Sequence, residues 1–260
     1  MAALVSREDA WWEDEDPASG YRRYLQMYAS PTNRSKAAVI EKLLSGYPWQ
    51  DLRVLEYGCG GGEFTLWMAR RGAEVWAVDR NVRALAILSH ASREAGLQDR
   101  IHPCEGHAED LEIDGEFDFV FAKDLLEHLS ADQDFLDRVA SQTRPGGHLF
   151  LATQNDRSLN YWTEGFFQRR IRGRREWRGW NREHLRFYNA ALLTKKMKRA
   201  GFSPERWGSS YLIPWRFLTR RLTGRARPWA GWQWLDRCLG TLWPWNRMGW
   251  SILVVGRRSR

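Results

Sequence analysis

Apolar residues along this chain fall into short runs separated by longer stretches with one apolar face. Residues 52–56, 74–78, 101–104, 117–122 and 148–153 read as strands, and 251–255 as a last one. Residues 63–71, 82–95, 132–143 and 189–200 read as helices, with Gly201 closing the last in the usual C-cap place. A further amphipathic helix is predicted at 36–44. The run 117–122 is apolar almost throughout, as a strand buried on both faces must be. Strands and helices alternating at this spacing predict an α/β fold with a parallel, doubly wound sheet.

The alternation fails at 155–189 and again at 211–249. Both stretches are rich in Arg and Trp and read as substrate-side inserts. Residues 1–50 form a polar and aromatic N-terminal helical or cap segment, and 51–260 one domain carrying the two inserts, a size suited to a single core. The net charge of +8 is concentrated in 168–186 and 216–247, a surface that suits phosphates of nucleic acid or of lipid headgroups. Cys59, Cys104 and Cys238 are odd in number and widely spaced, which argues against a disulfide framework or a zinc site. No secretory pattern opens the chain, and no apolar run reaches the ~18 residues of a membrane span. A cytoplasmic protein is expected.

The chemistry concentrates at strand ends. Glu56-Tyr57-Gly58-Cys59-Gly60-Gly61-Gly62 is an acid followed by a turn with glycine at alternate positions, where backbone can lie against a ligand. A dinucleotide fingerprint wants its third glycine at position 63, where this chain has Glu63. Asp79 ends the second strand and can accept both hydroxyls of a ribose, or cap the next helix. After the fourth strand, Asp124, Glu127 and His128 stand at i, i+3 and i+4, so on a helical turn they share one face. That face could hold a divalent cation, magnesium or manganese before zinc, or be a solvated helix start. His184 lies among arginines and could take a proton from an acceptor hydroxyl, or serve only as a turn residue.

These residues, in this order, resemble the S-adenosylmethionine (SAM)-dependent methyltransferases of the Rossmann-like class. The turn from Glu56 to Gly62, Asp79, Ala108-Glu109, Leu126-Glu127-His128 and Arg144-Pro145-Gly146-Gly147 carry the resemblance. It implies a seven-stranded, mostly parallel sheet with helices on both faces, and SAM as cofactor. The implied cofactor contacts are Glu56, Tyr57, Gly58, Cys59, Gly60, Gly62, Asp79, Arg80, Ala108, Glu109 and Lys123. His107 stands where an Asp is frequent, which leaves Glu109 or Asp110 for the adenine amine. Asp124-Leu125-Leu126-Glu127-His128 is similar to the ubiquinone-biosynthesis O-methyltransferases, whose Glu-x-x-Glu-His turn binds a cation; Asp124 replaces the first Glu. The resemblance therefore implies Mg2+ at Asp124, Glu127 and His128.

The expected activity is O-methylation of a small or hydrophobic, quinone-like or lipid-linked acceptor, with His128 or His184 as base. An RNA-directed methyltransferase and a non-catalytic SAM-binding module are the alternatives. In 211–249, Trp215, Trp229, Trp232, Trp234, Trp243 and Trp245, with Trp250 just beyond, interleave with Arg216, Arg220, Arg221, Arg225, Arg227, Arg237 and Arg247. Indole beside arginine suits a bilayer interface and peripheral membrane contact. It also suits a protein interface such as a homodimer, or single-stranded nucleic acid.

Overall fold

A computed structural model describes residues 11–13, 16–111, 113–177, 179, 181, 183–214, 218 and 230–259. The strands are β1 (Arg53–Tyr57), β2 (Glu74–Asp79), β3 (Ile101–Glu105), β4 (Phe117–Lys123), β5 (Thr143–Gln154), β6 (Phe202–Ser210) and β7 (Ser251–Arg258). They form one seven-stranded sheet in the order β3-β2-β1-β4-β5-β7-β6. Strands β3 to β5 pair in parallel, and β7 runs antiparallel between β5 and β6. The strand order reverses between β1 and β4, so their C-terminal ends part and leave a crevice.

Helices begin where the sequence supplies caps. Asp16 accepts from the N–H groups of Ala18 and Ser19 ahead of α1 (Pro17–Tyr28), and Ser30 accepts from Asn33 ahead of α2 (Pro31–Leu43). Both have proline at the first position, where no N–H is missed. Asn81 caps α4 (Val82–Glu94) in the same way, while α3 (Glu63–Ala69) starts directly from the glycine turn. The remaining helices are α5 (Asp132–Gln142), α6 (Leu159–Phe166), α7 (Ala190–Arg199) and α8 (Ala230–Leu239).

The core lies on both faces of the sheet, because β4 alternates. Phe119 and Phe121 face a cluster with Ile40, Phe64 and Leu88, whereas Val120 and Ala122 face one with Leu55, Phe135 and Leu193. Phe121 and Phe150 stack at 4.5 Å, both fully buried. Each such ring contributes roughly 1.5–3 kcal/mol on burial, and the seven-residue strand therefore anchors the crevice floor.

The N-terminal segment joins this core. Val39, Ile40, Leu43 and Leu44 of α2 and the residue after it pack into the first cluster. From the other end of the chain, α8 lies on α2. Asp236 accepts from the Ser35 hydroxyl at 2.7 Å and from the N–H groups of Tyr211 and Leu212.

Strand β6 was not expected from the polar sequence Phe202-Ser203-Pro204-Glu205-Arg206, nor was Arg144–Gly147 expected within β5. Both belong to strands whose register shifts locally, β6 between Pro204 and Arg206 and β5 opposite Phe117–Phe119, and such irregularities admit Pro and Gly. Of the second insert, Trp215, Arg216, Arg220, Arg221, Arg225, Arg227 and Trp229 lie outside the described residues.

Candidate functional site: a crevice at the β1–β4 switch point

The glycine turn is built by backbone geometry. Gly58, Gly60 and Gly62 all have left-handed φ, 73°, 53° and 90°. At Gly60 this conformation aims the N–H at Asp79, whose Oδ2 accepts at 2.8 Å while Oδ1 accepts from Asn81 N at 2.9 Å. Asp79 thus fixes the turn and the start of α4 with one carboxylate. A Cβ at Gly58 would lie 3.6 Å from Leu125, and both residues line a cavity of about 240 Å³. Val78, Asp79 and Arg80 form one wall, Gly106 to Glu109 the second, and Leu125, His128, Leu129 and Glu183 the third. A turn bare of side chains, a strand-end acid and an apolar flank fit the adenosine end of SAM.

Of the expected cofactor residues, Gly58, Asp79, Arg80, Ala108 and Glu109 line this cavity. Glu109 Oε1 accepts from Ser130 N, Ser130 Oγ and Ala131 N, which hold its carboxyl below the ordinary value, the bond from Ala131 most of all. Others stand elsewhere. The Tyr57 ring is buried in the second core cluster and its hydroxyl donates to Gln142 at 2.7 Å, so only its backbone belongs to the turn. Strand alternation sends Tyr57 and Glu56 to opposite faces. Glu56 is buried, accepts from the Thr65 hydroxyl, and is pushed up to about 8 by burial. Burial likewise pushes the Cys59 thiol well up, consistent with a small packing residue and not a nucleophile. Lys123 turns away from the cavity toward Tyr28 and Asp124, at 3.3 and 3.2 Å.

An aromatic lid was missed. Tyr24 lies so close to Gly61 that a Cβ there would meet its ring at 2.8 Å, and its hydroxyl accepts from Glu63 N at 3.0 Å. Trp11 covers Gly60 and packs on Tyr24 at 4.7 Å, with Tyr28 beyond at 4.5 Å. The spacing of Tyr21, Tyr24 and Tyr28 at i, i+3 and i+7 carried this signal.

The expected cation face does not form. Asp124 has φ 54° and lies outside the 3-10 turn Leu126–His128, so it shares no helical face with Glu127 and His128. Its two oxygens are taken by Lys36 and Lys123. Burial works to raise the Asp124 carboxyl, but first Lys36 and then Lys123 outweigh it and hold it below the carboxylate range. His184 takes the vacated place: Glu127, His128 and His184 offer donor atoms within 4.8 Å of one another. Glu127 is fully buried, accepts from Thr153 Oγ1 at 2.8 Å and Gln154 Nε2 at 3.1 Å, and is raised by burial and then by Asp124. The imidazoles of His128 and His184 meet edge to face at 5.0 Å. Burial, then His128, lowers His184 to about 4, and its Nδ1 has no partner among the described residues. The loop bearing His184 is tied down where Leu185 N donates to the Glu127 carbonyl at 2.9 Å.

A doubly wound sheet with a glycine turn after β1 and a ribose-height acid after β2 defines a Rossmann-like nucleoside-cofactor protein. Residues 21–206 match the family described as "Methyltransferase domain", and the chain belongs to that family. It is 32% identical to the ubiquinone biosynthesis O-methyltransferase of Xanthomonas euvesicatoria pv. vesicatoria over 157 residues, 60% of this chain and 59% of that protein. The chain spans only part of such curated relatives, 37% in the case of the mitochondrial ubiquinone biosynthesis O-methyltransferase of Schizosaccharomyces pombe, to which it is 36% identical over 102 residues, 39% of this chain. Among solved structures, magnesium protoporphyrin IX methyltransferase from Synechocystis PCC 6803 with bound SAH superposes with a TM-score of 0.62 at 17% identity, covering 94% of this chain and 96% of that one. Likeness at that identity is likeness of fold.

Proposed function

We propose that this protein transfers the methyl group of SAM to an oxygen of a small, hydrophobic, quinone-like acceptor, working in the cytoplasm against the inner face of a membrane. The observation that carries this reading is the placement of His128 on the cofactor cavity wall, with the neutral imidazole of His184 5.0 Å behind it. The names of the relatives point to the same acceptor class.

Bound in the cavity, SAM supplies a methyl carbon activated by its sulfonium. Asp79 would receive the ribose hydroxyls, while Ala108 and Glu109 border the adenine. Glu56, beneath the turn, would meet the amino-acid end. The lid of Trp11 and Tyr24 excludes water from the turn, which suits a displacement that depends on alignment. An acceptor hydroxyl entering beside His128 would give its proton to a histidine ring nitrogen; SAM, as co-substrate, would give its methyl group to that oxygen and leave as the neutral thioether. A divalent cation at Glu127, His128 and His184 would supply Lewis acidity to the same oxygen. One carboxylate and two imidazoles suit manganese, iron or zinc better than magnesium.

The test is methyl transfer from methyl-labelled SAM into cell extract, split into organic, aqueous, protein and nucleic-acid fractions, with Asp79→Ala alongside. Label in the organic phase that vanishes in the variant is the expected result. Label in nucleic acid would replace the acceptor with RNA. SAM binding with no transfer to any fraction would make the chain a non-catalytic module.

A further inference from the structure

Helix α6 leaves the sheet at the end of β5, the same edge that carries the glycine turn. Leu159, Trp162 and Phe166 stand at i, i+3 and i+7 on one face and are 50%, 59% and 60% exposed, while Asn160, Glu164 and Gly165 on the other are buried. The helix continues into a π-turn, Phe167–Ile171, that ends on an exposed Ile171. Arg170 within the turn and Arg172, Arg174 and Arg175 after it are exposed, and Glu176 is the single exposed acid between 159 and 177. The base of this element is rigid. Asn160 donates to the Tyr211 carbonyl at 2.6 Å, Gln168 to Glu164 at 2.6 Å, and Arg169 lies over the ring of Tyr161 at 5.2 Å.

Behind the exposed stripe runs a file of rings. Tyr161 of α6 lies 5.0 Å from Phe187, Phe187 6.0 Å from His184, and His184 5.0 Å from His128 on the cavity wall. An apolar surface fringed with arginine therefore connects, ring to ring, with the place where an acceptor oxygen would meet the methyl group.

We propose that α6 and its basic turn form the contact with an anionic phospholipid bilayer, from which an apolar-tailed acceptor is drawn to the neighbouring crevice. This rests on the reading of the crevice given above and names where its acceptor comes from. The chemistry of the surface matches such a partner. Indole and phenyl groups insert at headgroup depth, and guanidinium groups beside them pair with phosphate.

The test is co-sedimentation of the full chain with phosphatidylcholine vesicles, with and without about 30% phosphatidylglycerol. Retention on the anionic vesicles, weakened by salt, is expected. Trp162→Ser with Phe166→Ser should lower partitioning roughly tenfold or more. Arg170→Gln with Arg172→Gln should lower it and flatten the salt dependence. Partitioning of the aromatic variant within about twofold of wild type, equal binding to neutral vesicles, or a preference for single-stranded poly(U) over vesicles would each overturn the proposal. SAM affinity by calorimetry, and methyl transfer to a tail-less catechol such as 3,4-dihydroxybenzoate, should be the same in these surface variants as in wild type. If no chain methylates the catechol and the aromatic variant still loses the vesicles, the surface stands and the acceptor chemistry fails.

Discussion

The two halves of this molecule both stack arginine on aromatic rings, but they differ in how many large aromatic side chains they leave at the surface. In the cofactor half, Tyr57, Phe119, Phe121 and Phe135 are wholly buried, and Arg53 is spread over Trp76 and Phe117 at 4.7 and 5.2 Å. In the acceptor half, Trp162, Phe166, Trp234 and Trp243 face solvent, Trp243 at 79% exposure. The first half spends its rings on holding a sheet in register. The second keeps them available to something outside the chain. On the proposed reading, one region would hold the cofactor and the other would meet the acceptor.

The histidines where the halves meet should give the largest effect. Replacing either His128 or His184 by Ala is expected to lower turnover by about 10²–10⁴ if that residue is the base, with SAM affinity unchanged in His184→Ala, since His184 does not line the cofactor cavity. Steady-state rates beside calorimetry decide it, and full turnover in one variant acquits that histidine.

A second effect belongs to the cofactor half alone. The folded Glu56 carboxyl, at about 8, lies above its unfolded value of 4.5, so its stabilising protonated form is complete below 4.5 and lost as pH rises through 8. Without cofactor, Glu56→Gln should therefore be more stable than wild type at pH 8 by about 4 kcal/mol, and little different near pH 4.5. Urea midpoints at the two pH values would show it. A wild-type-minus-variant difference that does not move with pH would contradict the buried-acid account.

Asp79→Ala should weaken SAM binding about 30- to 100-fold, roughly 2–3 kcal/mol, because both the ribose contact and the Gly60 N–H bond go. Vesicle binding should not change. If it falls as well, the two halves are not independent.

The smallest effect concerns the cation. Cobalt titrated into the protein should give the visible absorption of a nitrogen-ligated ion, at least tenfold weaker in His184→Ala and unchanged in Asp124→Asn. The reverse pattern would restore the Asp124 set.

Much of the cofactor half was legible because its signals are local. Alternation of glycines from Gly58 to Gly62, an acid after each of two strands, and an apolar run at β4 are all short-range patterns. Asp124 was misplaced because a left-handed φ in a non-glycine residue leaves no mark in sequence, and because one of its lysine partners, Lys36 on α2, is 88 positions away. The meeting of His184 with Glu127 could not be read either. It depends on a loop pinned by one backbone hydrogen bond across the crevice, between residues 58 positions apart. Strand β6 escaped since its edge position and register shift tolerate a sequence that a central strand would not.

The position of β7 bears on how the protein is made. It enters the sheet between β5 and β6, although both are synthesised before it. Until Ser251 to Arg258 leave the ribosome, β5 shows a bare row of peptide groups along its acceptor-side edge, and β6 has no neighbour to join. The cofactor half can fold while the chain is still growing, but the other half must wait for residues 251–258. A nascent chain stalled before β7 would present two unpaired edges beside exposed tryptophans, a combination that invites pairing with the next copy on the same message.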